Sequence, residues 1–348
     1  MKKYLLLGSR VALGVYVPAV LLLRRLREEG HQVDFLYLEE LYVGKDDSIE
    51  KNKLQFHKNF KLARTGHVLP SRNVSSVDAK KKKAFFSKCI EEEYDGIVVF
   101  SGFWLSILKE FVEQCPLYTN RIRAIHMDAT YSNSWKYSER SFVKEEWLFN
   151  IETKEVRNLI NHASLVESKD RNDRIVVHGG GWGMGEYASK IQALNDLGYK
   201  LDIILYYENE LDEENTLNNY YLLDPKWNPN KEKYDFPRLM VHNQGQWVKY
   251  EPDDGALGSP ILSLIRKAKA VLSKPGGGTL LDSMISGTPI IFSEELASYE
   301  KTNKELWQEL GFGIDYYEWV KASDKDLILE RMTDDMQKVV SNVFCEEI

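Results

Sequence analysis

The residues best suited to chemistry lie together at Lys274-Pro275-Gly276-Gly277-Gly278-Thr279-Leu280-Leu281-Asp282. Three consecutive glycines remove every β-carbon from the stretch, so an oxyanion can approach unpaired backbone N–H groups. Lys274 at the mouth of the loop offers a full positive charge, and the Thr279 hydroxyl can donate to a phosphate oxygen. Asp282, one turn further on, can accept from a ribose diol. The elements that must position these groups flank them. Residues 270–273 read as a buried strand, a helix opens at Thr279, Gly287-Thr288-Pro289 stops it, and residues 290–292 form a second apolar strand. The result is one βαβ unit whose helix starts at an anion cradle. A plainer reading of the same residues is a glycine turn that only lets strand and helix pack closely, with Asp282 complementing the helix dipole.

The N-terminal half opens in the same style. Residues 4–7 are a buried strand, Gly8 to Gly14 a loop, 18–29 a helix closed by Gly30, and 31–38 the next strand, as in a doubly wound sheet. Residues 94–105 give another strand with a small-residue exit. A further strand over 123–129 runs into a polar cluster at Thr130, Tyr131 and Ser132. Ligands of open α/β sheets bind at strand carboxyl ends, so Ser101, His126, Asp128 and Tyr131 are candidates. Period two puts His126 and Asp128 on one strand face, where imidazole and carboxylate could serve as base and orienter. The alternative is a core histidine beside an aspartate that caps a turn.

A charged, breaker-rich segment at 164–174 precedes a fresh strand, Ile175-Val176-Val177. That strand leads into His178-Gly179-Gly180-Gly181-Trp182-Gly183-Met184-Gly185 and a helix over 186–197. The second half thus restarts the pattern of the first. Strands at 200–207 and 239–243 and a helix at 260–267 follow, around a polar insertion at 209–233. Residues 44–93 are the least patterned. Their run Lys80-Lys81-Lys82-Lys83 beside Phe85-Phe86 suits either an anionic membrane surface or an acidic acceptor, or else is a solvated helix face.

With 348 residues, 43% of them hydrophobic, the chain can bury the cores of two domains. We expect an N-terminal domain over 1–165, a second over 174–325, and a helical segment at 326–348 that returns toward the first. Cys89, Cys115 and Cys345 have no pairing or metal spacing and read as free thiols in a reducing, cytoplasmic compartment. A net charge of −7 argues against a nucleic-acid partner. No apolar run is long enough to span a bilayer, no secretory pattern opens the sequence, and no DxD motif or His/Asp cluster offers a metal site.

The stretch from Lys274 to Asp282, followed by Gly287-Thr288-Pro289, resembles the nucleotide-sugar motif of GT-B glycosyltransferases, especially their MurG-like and UDP-glycosyltransferase branches. The resemblance implies an α/β protein of two Rossmann-like, doubly wound domains facing across a cleft. It implies transfer of a sugar from a nucleoside diphosphate, expected to be UDP, to a small-molecule, lipid-linked or glycan acceptor. The reaction would be inverting and metal-independent, with the nucleotide sugar as co-substrate and no other cofactor. Lys274, Gly276, Gly277, Gly278, Thr279 and Asp282 would hold the donor, with Gly180 and Gly181 opposite its diphosphate and Gln246, Trp247 and Val248 near its base. Glu300 and Asn303 stand where the family holds sugar hydroxyls in an Asp-Gln-x-x-Asn-Ala segment, of which only Asn303 is kept. Gly14-Val15-Tyr16-Val17-Pro18-Ala19 resembles the family's Gly-His-x-x-Pro-Ala turn, and places Gly14 and Val15 with Ser101 and Tyr131 on the acceptor side. Val15 cannot take a proton, so the base is another residue such as Asp128 or His126, or the acceptor needs little help, or the protein is not a transferase. A nucleotide-sugar hydrolase or epimerase and a non-catalytic nucleotide-sugar binder are the two rival functions.

Overall fold

The apolar strand Lys3–Gly8 (β1) pairs in parallel with Gln32–Tyr37 (β2), because the helix Leu13–Glu28 between them carries the chain back across the sheet. Gly96–Val99 (β3), Ile122–His126 (β4) and Lys144–Trp147 (β5) extend this parallel sheet in the order β2-β1-β3-β4-β5. A hairpin of two-residue strands, Phe149–Asn150 (β6) with Glu155–Val156 (β7), closes the first half. The computed structural model describes residues 1–10, 12–43, 57–68, 77–160, 165–229, 231–232, 234–252 and 259–343.

The second sheet contains Arg174–Val177 (β8), Lys200–Leu205 (β9), Asn219–Leu223 (β10), Leu239–Asn243 (β11), Gln246–Lys249 (β12), Ala270–Ser273 (β13), Ile290–Phe292 (β14) and Gly313–Asp315 (β15). Their order is β12-β11-β10-β9-β8-β13-β14-β15. Pairing is parallel from β10 to β15, whereas β11 and β12 form an antiparallel hairpin at one edge. Each sheet reverses its strand order once, between β1 and β3 and between β8 and β13, and those reversals open the crevices in which α/β sheets bind ligands. The loops after β8 and β13 are the two glycine-rich stretches.

Several elements differ from their sequence reading for physical reasons. The first helix begins at Leu13, five residues before Pro18, because Leu13 and Tyr16 are buried and extend its apolar face upstream. The glycine helix begins at Gly277, not Thr279. β4 stops at His126, the last residue paired with β5, so Asp128 lies beyond the strand. The insertion after 209 contains β10. The chain beyond β10 packs on the first helix, where Tyr16 Oη donates to the Asp235 carbonyl (2.8 Å) and Arg24 lies over the Phe236 ring. Phe85 and Phe86 sit in a core cluster with Trp104 and Phe111 while Lys80, Lys81 and Lys83 face solvent, so the aromatics are not available to a membrane. Residues 44–56 and 69–76 of that region, and Cys345, lie outside the described residues. Among the described residues no helix is long and apolar enough to cross a membrane.

The two sheets share one apolar cluster. The helix Leu13–Glu28 packs against the glycine helix Gly277–Ser286, and Leu13, Tyr16 and Leu22 join Leu281, Met284 and Ile285 in that core. The C-terminal helix Lys325–Val340 lies on the other flank of the glycine helix, with Met336 against Ser283 and Gln337 Nε2 donating to the Val166 carbonyl (2.6 Å). Arg171, in the breaker-rich connection, pins the glycine helix at its end. Its guanidinium donates to the carbonyls of Ser286, Gly287, Ala268 and Val166 and to Thr288 Oγ1. Arg171→Met should leave those acceptors unsatisfied and lower unfolding free energy by about 3 kcal/mol in denaturant titrations, the range for a broken buried network.

Candidate functional site

The cradle after β13 is a helix start without a side-chain cap. Gly276 is extended (φ −77°, ψ 151°), and Gly277 begins the helix. Close approach requires the glycine at 277 and crowds its two neighbours. A β-carbon on Gly277 would stand 2.3 Å from the Met127 carbonyl oxygen, and one on Gly276 would stand 2.9 Å from Lys274 Nζ. Gly278 meets Gly14 across the seam, its β-carbon position 3.3 Å from the Gly14 Cα, while Gly181 faces Leu13. The cradle therefore opens onto the N-terminal sheet, and it is narrow.

Lys274 is buried and ion-paired with Glu300, and its stem crosses Gly180. Glu300 Oε2 also accepts from the Leu296 N–H (2.7 Å), so both of its oxygens are engaged. Thr279 Oγ1 and the Asp282 carboxylate, one turn apart along the helix, have no hydrogen-bond partner among the described residues. Burial alone pushes the Asp282 carboxyl up to about 7. His178, at the end of β8, accepts from the Gly180 N–H through Nδ1 (3.0 Å), which leaves the ring proton on Nε2, buried and unpartnered. Burial, aided by the Lys274 charge, lowers its pKa to about 4, so the ring is neutral.

Across the seam, Asp128 reaches the cradle. Asn303 Nδ2 donates to Asp128 Oδ1 (2.8 Å) and to the Pro275 carbonyl (2.9 Å), while Asn303 Oδ1 accepts from the Ala129 N–H (2.7 Å). Burial pushes the Asp128 carboxyl up to about 6. The Asn303 hydrogen bond opposes this, the Glu300 charge adds to it, and Lys274 and the Gly277 N–H pull it back.

His126 belongs elsewhere. It stacks on Trp147 (4.1 Å between ring centroids), meets Glu145 Oε1 through Nε2 (3.1 Å), and packs against Trp135. Burial, with the Arg140 charge, lowers its pKa to about 3. The expected His126 and Asp128 couple does not form, because β4 ends between them and each takes a different partner. Tyr131 joins His126, donating to Glu145 under the Arg140 guanidinium. Ser101 accepts from the Phe103 N–H and caps the turn after β3. Val15 packs on the shared core. Gln246 and Val248 lie on β12, an exposed edge strand five strand positions from β13, or ~24 Å at the usual strand spacing. They are not brought to the cradle.

One cross-domain couple had no sequence signal. His57 meets the Gly183 carbonyl through Nδ1 (2.9 Å) and Glu210 Oε1 through Nε2 (2.5 Å), while Phe60 and Ala63 pack on Leu296 and Met184. Its partners lie 126 and 153 residues away, so only the fold could reveal it. Two surface hollows of about 240 and 210 Å³ lie near Lys2, Tyr4 and Arg121 and near Lys169, Asn172 and Glu330. Both are at strand amino ends, away from the glycine loops. Among the described residues no three His, Cys, Asp or Glu side chains are grouped to hold a metal.

No protein-family model and no curated protein matches the sequence. Solved structures match its fold along the whole chain. The Streptomyces sp. SF2575 glycosyltransferase SsfS6 is 12% identical with a TM-score of 0.52, covering 97% of this chain and 96% of its own. The spinosyn rhamnosyltransferase SpnG is 9% identical with a TM-score of 0.52, covering 97% and 96%. Acinetobacter baumannii MurG is 13% identical with a TM-score of 0.50, covering 99% of each chain. SsfS6 has been solved with thymidine diphosphate and SpnG with spinosyn aglycone. The chain has the GT-B fold, two Rossmann-like domains in one molecule.

The raised carboxyls of Asp128 and Asp282 set a pH dependence. Between about pH 4 and 7 the folded protein keeps protons that the unfolded chain has released, so this contribution to stability is full at low pH and lost as pH rises through the folded values. Asp282→Asn should flatten the decline in Tm from pH 4.5 to 7.5 and raise Tm at pH 8; a pH series of thermal melts compares the slopes.

Proposed function

We propose that this protein is a glycosyltransferase that takes its sugar from a nucleoside diphosphate bound at the cradle after β13. The observation that carries the reading is a helix start at a topological switch point, next to Lys274, with the Thr279 hydroxyl and the Asp282 carboxylate free of partners among the described residues. Those two groups are a donor for a phosphate oxygen and an acceptor for a ribose diol. The full-length likeness to glycosyltransferase structures supports it, and SsfS6 with thymidine diphosphate makes thymine as reasonable a base as uracil. Residues 1–165 would then be the acceptor domain and 174–325 the donor domain.

In the reaction, an acceptor hydroxyl oxygen attacks the anomeric carbon as the bond from that carbon to the diphosphate oxygen breaks. The bonding electrons leave with the diphosphate. Lys274, the helix N–H groups and the Thr279 hydroxyl stabilise the charge that develops there, as groups set in place before reaction do. The acceptor proton passes to Asp128, a carboxylate that can serve as general base at neutral pH. Attack opposite the diphosphate inverts the anomeric configuration. The acceptor is a small molecule, lipid-linked saccharide or glycan that enters from the N-terminal sheet.

Calorimetry with UDP and with TDP tests the donor site. Lys274→Ala alone would strand Glu300 as a buried unpaired charge. The neutral double variant Lys274→Met with Glu300→Gln should weaken the bound nucleotide by roughly ten- to a hundred-fold, the ~1.5–3 kcal/mol of a charged hydrogen bond; unchanged affinity removes Lys274 from the site. A diol that donates to Asp282 favours its ionised form. Binding at pH 6 should therefore release a proton, seen as a buffer-dependent enthalpy that Asp282→Asn reduces.

A further inference from the structure

Asp128 belongs to the N-terminal half of the chain, yet its carboxylate sits at the start of the glycine helix. The loop that carries it has left the β-ladder, since β4 ends at His126. Its position is set from the other sheet. Asn303, fully buried, takes the Ala129 N–H with its oxygen and gives its two N–H bonds to Asp128 Oδ1 and to the Pro275 carbonyl. One side chain thereby ties the Asp128 loop to the glycine loop. The fit is tight: a single carbon added to Gly277 would lie 2.9 Å from Asp128 Oδ1 and 2.3 Å from the Met127 carbonyl oxygen. The Gly277 N–H, which a phosphate oxygen would need, already draws on the Asp128 carboxylate packed against it.

We propose that Asp128 and Asn303 form a latch that regulates the donor site: the Asp128 carboxylate serves as the helix's own counter-anion, and an incoming diphosphate must displace it to bind. The latch rests on the donor-site reading above. Two anions at one helix start repel, and the Gly277 N–H cannot serve both, so binding the diphosphate and releasing Asp128 are one event. The same event turns the base loose toward the acceptor side. In the empty protein Asp128 is committed to the helix start and to Asn303; once a donor occupies the cradle, the carboxylate becomes available to take the acceptor proton. Donor would then bind before acceptor is activated.

The latch makes a prediction opposite to that of a binding residue, because removing it should improve binding. UDP and TDP, which lack the transferred sugar, are titrated by calorimetry into the wild-type protein, Asp128→Ala, the isosteric Asp128→Asn and Asn303→Ser. Asp128→Ala should bind the nucleotide roughly ten-fold more tightly, the scale of one charged hydrogen bond no longer broken on binding. Asn303→Ser, which loosens the clasp without touching the carboxylate, should bind it roughly three-fold more tightly. Solution scattering of the empty variants should show a larger radius of gyration than the wild type. Asp128→Asn keeps the shape of the side chain and covers the case in which Asp128→Ala does not fold. Equal or weaker affinity in the folded variants overturns the latch and leaves the donor site standing. Binding of neither nucleotide by any of the four proteins overturns the donor-site reading and the latch with it.

Discussion

A ten-residue helix, Gly277–Ser286, depends at both ends on side chains distant in sequence, and the two halves of the molecule meet around that dependence. Helix ends leave unpaired N–H groups at one terminus and unpaired carbonyls at the other. At the carbonyl end, Arg171 donates to Ser286 and Gly287 from the connection between the sheets. At the N–H end no local side chain caps the helix, and Asp128 approaches from the other sheet. Leu280, Leu281, Met284 and Ile285 fix its orientation in the shared core. The helix is thus held rigidly at one end and left open to exchange of its anion at the other.

Charge around the cradle is arranged so that little of it is unmatched. Lys274 would be an isolated buried cation without Glu300, a costly arrangement that the pair avoids. His178 beside it stays neutral, so no second cation crowds the site. Asp282 is the exception, a carboxylate with no donor among the described residues, and burial raises its pKa.

The seam also explains why conspicuous sequence features have modest parts. His126 is the most reactive residue type on its strand, but three aromatic rings and Glu145 occupy its surroundings, and its low pKa follows from that packing. His57, in the least patterned stretch of the sequence, spans the two halves through Gly183 and Glu210. The chain between β10 and β11 covers the first helix through Trp227, Asp235 and Phe236.

The sequence by itself determined the βαβ units and the cradle. Apolar runs of strand length, glycines at positive φ such as Gly30, Gly198 and Gly287, and the triple glycine are local signals, and local backbone physics reads them directly. The likeness of the two halves was legible for the same reason. Tertiary structure decided which polar residues meet. Asn303 joins Asp128 across 175 residues, and Lys274 finds Glu300. β4 stops two residues before Asp128, which periodicity had placed on its face, because the strand ends where its neighbour β5 ends. Gln246 and Val248 fall on an antiparallel edge hairpin because the direction of a strand depends on its partner and not on its own residues. Pairings between distant residues depend on sheet order and on packing between helices, which no short stretch of sequence encodes.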